Sequence, residues 1–323
     1  MPTSEFALIE RYFRHCGAMR SDVRMGIGDD AALLESPPDL ELVATIDTLV
    51  DGVHFPAGSP AASIGHRSLA VNLRDLAALG ARPAWALLAL TIPSADEGWL
   101  REFASGFSAL ARAHSVALVG GNTTSGPLCV SVQLLGHVPR STALLRSGGK
   151  PGDVVFVSGT PGDSTAGLAV EQGRLSTSEQ NTRYLRERFL FPTPRVALGE
   201  RLRKFASACI DVSDGLLGDA AKLAHASGCG VQIQFESVPV SEALRVAVGK
   251  ETAYKLALTG GEDYELCFAV HPENVGKLRQ ELPPEQWGYS SIGALEQTPG
   301  TRVLAADATV MHFSHSGFDH FGR

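Results

Sequence analysis

Positive charge is in short supply in this sequence. Its 28 Lys and Arg face 35 Asp and Glu, for a net charge of −7. A nucleic-acid partner calls for a basic patch or stripe, so that class loses its main support. Cysteine is also scarce: Cys16, Cys129, Cys209, Cys229 and Cys267 form no CxxC pair and are odd in number. That argues against a disulfide framework or a zinc site and leaves small apolar packing as the plain reading. The first residues, Met-Pro-Thr-Ser-Glu-Phe-Ala-Leu-Ile-Glu-Arg, lack the apolar stretch of a secretory signal. No apolar run approaches the roughly 20 residues that cross a bilayer. A cytoplasmic location without a membrane partner is the expectation. Two common phosphate loops are missing as well. Gly249-Lys250 is followed by Glu251, so GxxxxGK with Ser or Thr is absent, and no GxGxxG follows a strand. No Ser-His-Asp arrangement can be read from spacing.

What is present is a chain of 323 residues, long enough for two domains of roughly 150 residues each. Hydrophobic residues at 44% and charged residues at 20% place it among ordinary globular proteins. Ser4 is a candidate cap for a helix with Phe6, Leu8, Ile9, Tyr12 and Phe13 on one face. Strands are expected at 41–47, 85–92, 116–119 and 128–138, and helices at 61–79 and 95–114. The segment Gly120-Gly-Asn-Thr-Thr-Ser-Gly-Pro127 reads as a turn between strands. The Gly/Pro cluster Ser147-Gly-Gly-Lys-Pro-Gly152 marks the expected division into domains 1–147 and 148–323. Beyond it, strands are expected at 153–158, 206–211, 231–235, 265–270 and 289–294. Helices are expected at 164–171, from Pro194 and at 214–226, with 174–183 as a polar surface connection. Both halves mix strands with helices, which makes the class α/β or α+β.

Aspartate recurs at strand ends and in glycine-rich turns. Asp29-Asp30 follows Gly26-Ile-Gly28, and Asp47 ends a strand with Asp51 four residues on. Asp211-Val-Ser213-Asp214-Gly215 ends another strand and opens a helix, and Gly260-Gly-Glu262-Asp263-Tyr-Glu265 precedes a further strand. Each alone reads first as a turn residue or a helix cap. Asp75 is harder to dismiss. It sits in the apolar helix Leu69-Ala-Val-Asn-Leu-Arg-Asp-Leu-Ala-Ala-Leu, one turn from Asn72. If several of these carboxylates converge, each pair about 4 Å apart repels by roughly 4 kcal/mol at an effective dielectric near 20. Cations must then offset them. Magnesium fits an all-oxygen donor set, and there is no EF-hand spacing for calcium. Metal ions bridging carboxylates and phosphates also reconcile an acidic chain with an anionic nucleotide. Glycines beside the aspartates let backbone N–H groups come close to phosphate oxygens.

In order, Gly26-Ile-Gly-Asp-Asp-Ala-Ala, Thr45-Ile-Asp-Thr-Leu-Val-Asp-Gly-Val-His-Phe55, Ala70-Val-Asn-Leu-Arg-Asp-Leu76, Gly120-Gly-Asn-Thr-Thr, Arg146-Ser-Gly, Asp211-Val-Ser-Asp-Gly-Leu and Gly260-Gly-Glu-Asp-Tyr-Glu-Leu form a specific set. Taken together, and with Gly317-Phe-Asp-His-Phe321, they resemble the thiamine-monophosphate kinase family over essentially the whole chain. The resemblance implies the two-domain aminoimidazole-ribonucleotide-synthetase-like fold, with an N-terminal mixed sheet with helices and a C-terminal α/β domain. N-terminal domains of that fold pair into a homodimer. The implied reaction is direct transfer from ATP to thiamine monophosphate, giving thiamine diphosphate and ADP. The resemblance makes Asp30, Thr45, Asp47, Asp75, Asp211 and Asp214 ligands of several Mg2+ ions, with Ile46 adding a backbone carbonyl. Asp47 and Asp211 would be the catalytic members. Gly121, Arg146 and Ser213 would meet ATP, and His54, Glu262 and Phe318 would face thiamine monophosphate. A carboxylate and an aromatic plane suit a cationic ring. One departure stands out: the family carries aspartate after the Gly-Gly pair, and here it is Asn122, an amide oxygen without the charge. A selenophosphate synthetase would need a reactive Cys in an N-terminal glycine-rich loop, and a hydrogenase-maturation dehydratase a C-terminal Cys. This sequence has neither. A nucleotide-binding regulator without turnover is the rival from a different class.

Overall fold

Ser4 starts the first helix as its residue type implies, its side-chain oxygen accepting the Ala7 N–H at 3.3 Å. The computed structural model describes residues 4–313 and 317. The chain divides into two units, Met1–Leu76 with Ala81–Thr142, and Ala77–Gly80 with Ala143–Arg323. Among the described residues no helix is long and apolar enough to cross a membrane.

The first unit holds α1 (Glu5–Leu8), the short pair β1 (Val23–Met25) and β2 (Leu33–Leu34), then β3 (Leu40–Val50), α2 (Ala61–Ala78), β4 (Arg82–Ile92), α3 (Glu97–Ala113), β5 (Ala117–Ser125) and β6 (Cys129–Pro139). Its main sheet runs β3-β6-β4-β5, antiparallel except for the β4–β5 pair that flanks α3. Strand alternation decides what each face carries. Thr45, Asp47 and Leu49 lie opposite Leu134, Val132 and Val130, all three fully buried. The neighbouring positions Leu42 and Ile46 point the other way and are exposed. In α3, Leu100, Phe103, Ala104, Phe107, Leu110 and Ala111 are buried at helical spacing, and Asp96 caps the helix by accepting the Gly98 and Trp99 N–H groups. Helices α2 and α3 touch backbone to backbone. A Cβ on Gly106 would lie 1.9 Å from the Ala62 carbonyl oxygen, and one on Gly65 would lie 2.1 Å from that of Phe103.

The second unit holds β7 (Val154–Ser158), α4 (Asp163–Glu171), α5 (Glu179–Leu190), α6 (Val196–Leu202), β8 (Ala206–Val212), α7 (Leu216–Ala226) and β9 (Gly230–Gln234). It continues with α8 (Glu242–Val248), α9 (Lys250–Thr259), β10 (Glu265–Val270), α10 (Pro272–Glu281), α11 (Pro284–Trp287), β11 (Tyr289–Glu296), β12 (Gly300–Leu304) and β13 (Val310–Met311). The seven strands run β13-β12-β9-β11-β7-β10-β8, with β9 and β12 the parallel pair. Val155, Val157, Ile210 and Val212 pack with Leu216, Leu217, Ala220 and Leu223 of α7 in one core. Elsewhere Phe156 stacks on Phe268 at 5.3 Å between ring centres, and Tyr289 meets both edge-on.

Two local expectations are corrected. Gly120-Gly-Asn-Thr-Thr is not a turn but part of β5, with Gly121 opposite Leu88 and Asn122 opposite Ala89. The glycine is there for contact: a Cβ on Gly121 would sit 1.9 Å from the Leu88 carbonyl oxygen. The polar stretch 174–183 is not all connection either. Ser178 accepts the Asn181 N–H and starts α5, whose Leu185, Phe189 and Leu190 are buried.

Candidate functional site

In the first unit, Thr45 and Asp47 are two residues apart on β3 and so share a face, and Arg74 and Asp75 lie on α2. The Thr45 hydroxyl donates to Asp75 Oδ2 at 2.5 Å. Arg74 serves both acids, its guanidinium lying 4.0 Å from Asp47 Oδ2 and 3.7 Å from Asp75 Oδ1. The Arg74 side chain is 12% exposed, against 30% for Asp47 and 27% for Asp75. The Arg74 guanidinium therefore stands between two carboxylates that remain partly in water.

Other expected residues of this unit sit around that group or apart from it. Ile46 turns its side chain to the opposite face of β3 at 65% exposure, so only its backbone could serve an ion. His54 is half-buried and closes its own turn, with Nδ1 accepting the Val50 N–H at 3.0 Å and its carbonyl accepting from Arg67. Its Nδ1 therefore acts as an acceptor. Gly121 and Asn122 are exposed on the edge strand β5. Asp30 is exposed, and its N–H donates to Asp29 Oδ1 at 2.8 Å. Among the described residues no three His, Cys, Asp or Glu side chains are grouped to hold a metal ion, so Asp30 does not join Asp47 and Asp75 in a three-acid cage.

The second unit assembles its residues on the loop that joins β8 to α7. Asp211, almost fully buried at the end of β8, lies 4.0 Å from the Arg146 guanidinium, which is largely exposed. The loop that follows is gathered by a residue that the sequence reading passed over. Asp219 Oδ2 accepts the N–H groups of Ser213, Asp214 and Gly215 at 2.9, 3.1 and 3.3 Å. Asp214 is thus not the cap of α7. Gly215 takes that position, and an acid inside the helix reaches back to hold the loop. Lys222 then bridges the two acids, with Nζ 2.6 Å from Asp214 Oδ2 and 2.8 Å from Asp219 Oδ1. Burial pushes the Asp219 carboxyl up, and Lys222 draws it back. The readable signal was the i, i+3 spacing of Asp219 and Lys222 in a helix. Gly317 lies against the Asp214 carbonyl, where a Cβ would be 2.7 Å away. Phe318 lies outside the described residues.

Beside this loop runs the segment Gly260–Glu265. The Glu262 N–H donates to the Ser213 carbonyl at 2.7 Å and the Tyr264 N–H to that of Val212 at 3.1 Å. Glu262 and Tyr264 both adopt left-handed backbone, at φ 67° and 57°. Two such residues cost about 2–4 kcal/mol together, so the surroundings must over-determine them. They do so through Asp263, which is buried between the two. Its Oδ2 accepts the Gly162 N–H at 2.7 Å and its Oδ1 the Ser164 N–H at 3.1 Å, at the start of α4. Burial pushes the Asp263 carboxyl up to about 8, while these N–H groups and Arg188 pull it down. Two hydrogen bonds to this buried carboxyl contribute about 0.5–1.5 kcal/mol each, which offsets part of the strain. The Tyr264 hydroxyl donates to Glu262 Oε2 at 2.7 Å.

Behind the segment lies a buried ionic network with no counterpart in the sequence reading. Glu265, with no exposed surface, accepts from the Ser158 hydroxyl at 2.6 Å, from Arg188 at 2.8 Å and twice from Arg195 at 2.6 Å. Asp163, equally buried, accepts from Thr160, Tyr184 and Ser241 at 2.5, 2.9 and 2.5 Å.

Comparison with known proteins adds a second line of evidence. The family described as AIR synthase related protein, N-terminal domain, matches residues 28–138, and its C-terminal domain matches residues 150–305. The chain is 45% identical over 322 residues to the thiamine-monophosphate kinase of Salmonella typhimurium, covering 99% of each. It resembles the crystal structure of thiamine-monophosphate kinase from Stenotrophomonas maltophilia K279a at TM-score 0.84 and 45% identity, over 90% of this chain and 93% of that one. It also resembles AaThiL complexed with AMPPCP and TMP, at TM-score 0.77 and 32% identity over 91% and 92% of the two chains.

Proposed function

The chain belongs to the AIR synthase related proteins and, within them, to the thiamine-monophosphate kinases, and from that premise we propose that it transfers a phosphoryl group from ATP to thiamine monophosphate, giving thiamine diphosphate and ADP. The observation that carries this reading is likeness along the whole chain to relatives of that name, one of them solved with AMPPCP and TMP together.

The donor set suits Mg2+: Asp, Thr and Asn oxygens with no thiolate in the group. The absence of a three-acid cage among the described residues is compatible, because Mg2+ is held by one or two carboxylates together with substrate phosphates. Asp30, Thr45, Asp47, Asp75, Asn122, Asp211 and Asp214, with the Ile46 carbonyl, would hold the ions. Bound there, they would cancel repulsion between the nucleotide phosphates and the acceptor phosphate. The chain's own groups do the rest. Thr45 fixes the Asp75 carboxylate at 2.5 Å, and Arg74 lies beside both Asp47 and Asp75. Arg146 offers a guanidinium fork to the ATP phosphates from an exposed position beside Asp211. Gly121 would offer close backbone approach to the nucleotide and Ser213 its hydroxyl, since the Ser213 N–H and carbonyl are taken by Asp219 and Glu262. Glu262 and His54 face the thiamine monophosphate, with Phe318 as the aromatic plane. The acceptor is already an ionised phosphate at neutral pH, so positioning and charge neutralisation replace a strong general base.

Leu42 and Ile46, 54% and 65% exposed on one face of β3, support a homodimer formed through that sheet. The function is tested by ADP release and thiamine diphosphate formation from the purified chain with ATP and Mg2+. ADP release that requires thiamine monophosphate is the expected result. ATP binding without acceptor-dependent turnover would favour the regulator instead.

A further inference from the structure

The segment Gly260–Glu265 is tied down more heavily than a loop between a helix and a strand requires. A Cβ on Gly261 would lie 2.6 Å from the Ser213 carbonyl oxygen, and one on Gly260 would lie 2.5 Å from the Thr165 hydroxyl. The Thr165 hydroxyl also donates to the Gly261 carbonyl at 3.2 Å. The segment is therefore wedged between the β8–α7 loop and the first turn of α4. Its left-handed residues, Glu262 and Tyr264, alternate with Asp263. The alternation sends the Asp263 side chain inward to the Gly162 and Ser164 N–H groups. The Tyr264 side chain, also fully buried, turns its hydroxyl back onto Glu262 Oε2.

We propose that Asp263 and Tyr264 are positioning residues for the acceptor. Asp263 pins the strained segment to α4, and the Tyr264 hydroxyl holds the Glu262 carboxylate in the orientation that receives the cationic half of thiamine monophosphate. The inference rests on the reading of Glu262 as an acceptor-facing group. Neither residue touches substrate; each acts through Glu262. The design is economical in a physical sense. A carboxylate on a relaxed loop samples many rotamers, and ordering it on binding costs affinity. Here the ordering is done during folding by buried groups.

The experiment compares Tyr264→Phe, Asp263→Asn and Glu262→Gln by steady-state kinetics with each substrate varied, and by thermal melting. Tyr264→Phe removes the hydroxyl that donates to Glu262 and keeps the ring. It should raise the KM for thiamine monophosphate about tenfold, the effect of one lost bond to a charged group, while the KM for ATP and the melting temperature hold. Asp263→Asn should raise the same KM further and lower the melting temperature, because its amide cannot accept both N–H groups. If Asp263→Asn does not fold, Tyr264→Phe decides alone. A Glu262→Gln chain with raised KM beside a Tyr264→Phe chain with unchanged KM would overturn the inference and leave the assigned function standing. An unchanged KM in Glu262→Gln would overturn both the inference and the placing of Glu262. Equal rises in KM for ATP and thiamine monophosphate would also overturn it, since they would mark a general structural role.

Discussion

Two groups of acids, one in each unit, are held in opposite ways. In the first, Asp47 and Asp75 stand on a strand and a helix, about a third to a quarter exposed, with Arg74 beside both. In the second, Asp163, Asp263 and Glu265 have almost no exposed surface, and Arg188 and Arg195 are built in beside them. The difference separates two uses of a carboxylate. An acid left partly in water can still take up a cation. An acid fully enclosed by donors can only organise the protein around it, and removing its partner leaves a buried charge exposed to no solvent.

The largest effect that sharpens this contrast is on stability. Glu265→Ala would leave Arg188 and Arg195 facing each other without their common anion, and denaturant unfolding should show a loss of about 3–5 kcal/mol. Asp75→Ala, by comparison, should cost less than about 1 kcal/mol, because its ion pair is partly exposed. If the two substitutions cost the same, the contrast is broken. A smaller effect is expected at Asn122, on the exposed edge of β5. Asn122→Asp adds the missing charge and should lower the Mg2+ concentration for half-maximal activity by about tenfold, equivalent to roughly 1.4 kcal/mol. An unchanged magnesium requirement would show that the position is not a charge-sensitive ligand.

The last contrast is in the direction of the pH response, which should have opposite sign in the two units. His137, in the first unit, is held below its ordinary value of 6.5 by burial beside Trp85. Below that pH the unfolded chain binds a proton that the folded chain refuses, so this unit loses stability as pH falls through 6.5. Asp263 is pushed from 3.8 to about 8, so the folded chain keeps a proton that the unfolded chain releases. Its contribution is complete below pH 4 and is lost as pH rises towards 8. Melting curves of His137→Gln should therefore differ less from wild type at pH 5 than at pH 7.5. Those of Asp263→Asn should differ less above pH 8 than at pH 6. The same trend in both would contradict the assignment of the two groups.

These contrasts mark what could be read from the sequence. The mixed strand-and-helix class, the long helices α2 and α3, and strand β10 were legible, because their apolar periodicity is local. Asp75 stood out because it interrupts an apolar helix; Asp47 and Asp211 stood out as strand ends, although Asp47 lies inside β3, which runs on to Val50. The bond from Thr45 to Asp75 was not, because it joins positions 30 residues apart whose pairing exists only once β3 and α2 pack. The network around Glu265 was hidden for the same reason: Ser158 and Glu265 are 107 residues apart, and Arg188 comes from a helix whose polar start looked like a surface connection. The left-handed backbone at Glu262 and Tyr264 could not be read either, because neither residue is glycine or asparagine and the conformation is imposed by Asp263 and its partners.

The central claim is that partly exposed acids of the first unit serve the reaction and not the fold. It is tested most directly by the turnover of thiamine monophosphate in Asp47→Ala beside wild type, with unfolding measured on the same samples. The account predicts a loss of kcat of at least about a hundredfold with stability changed by less than about 1 kcal/mol. A near-normal kcat, or a chain that fails to fold, would contradict it.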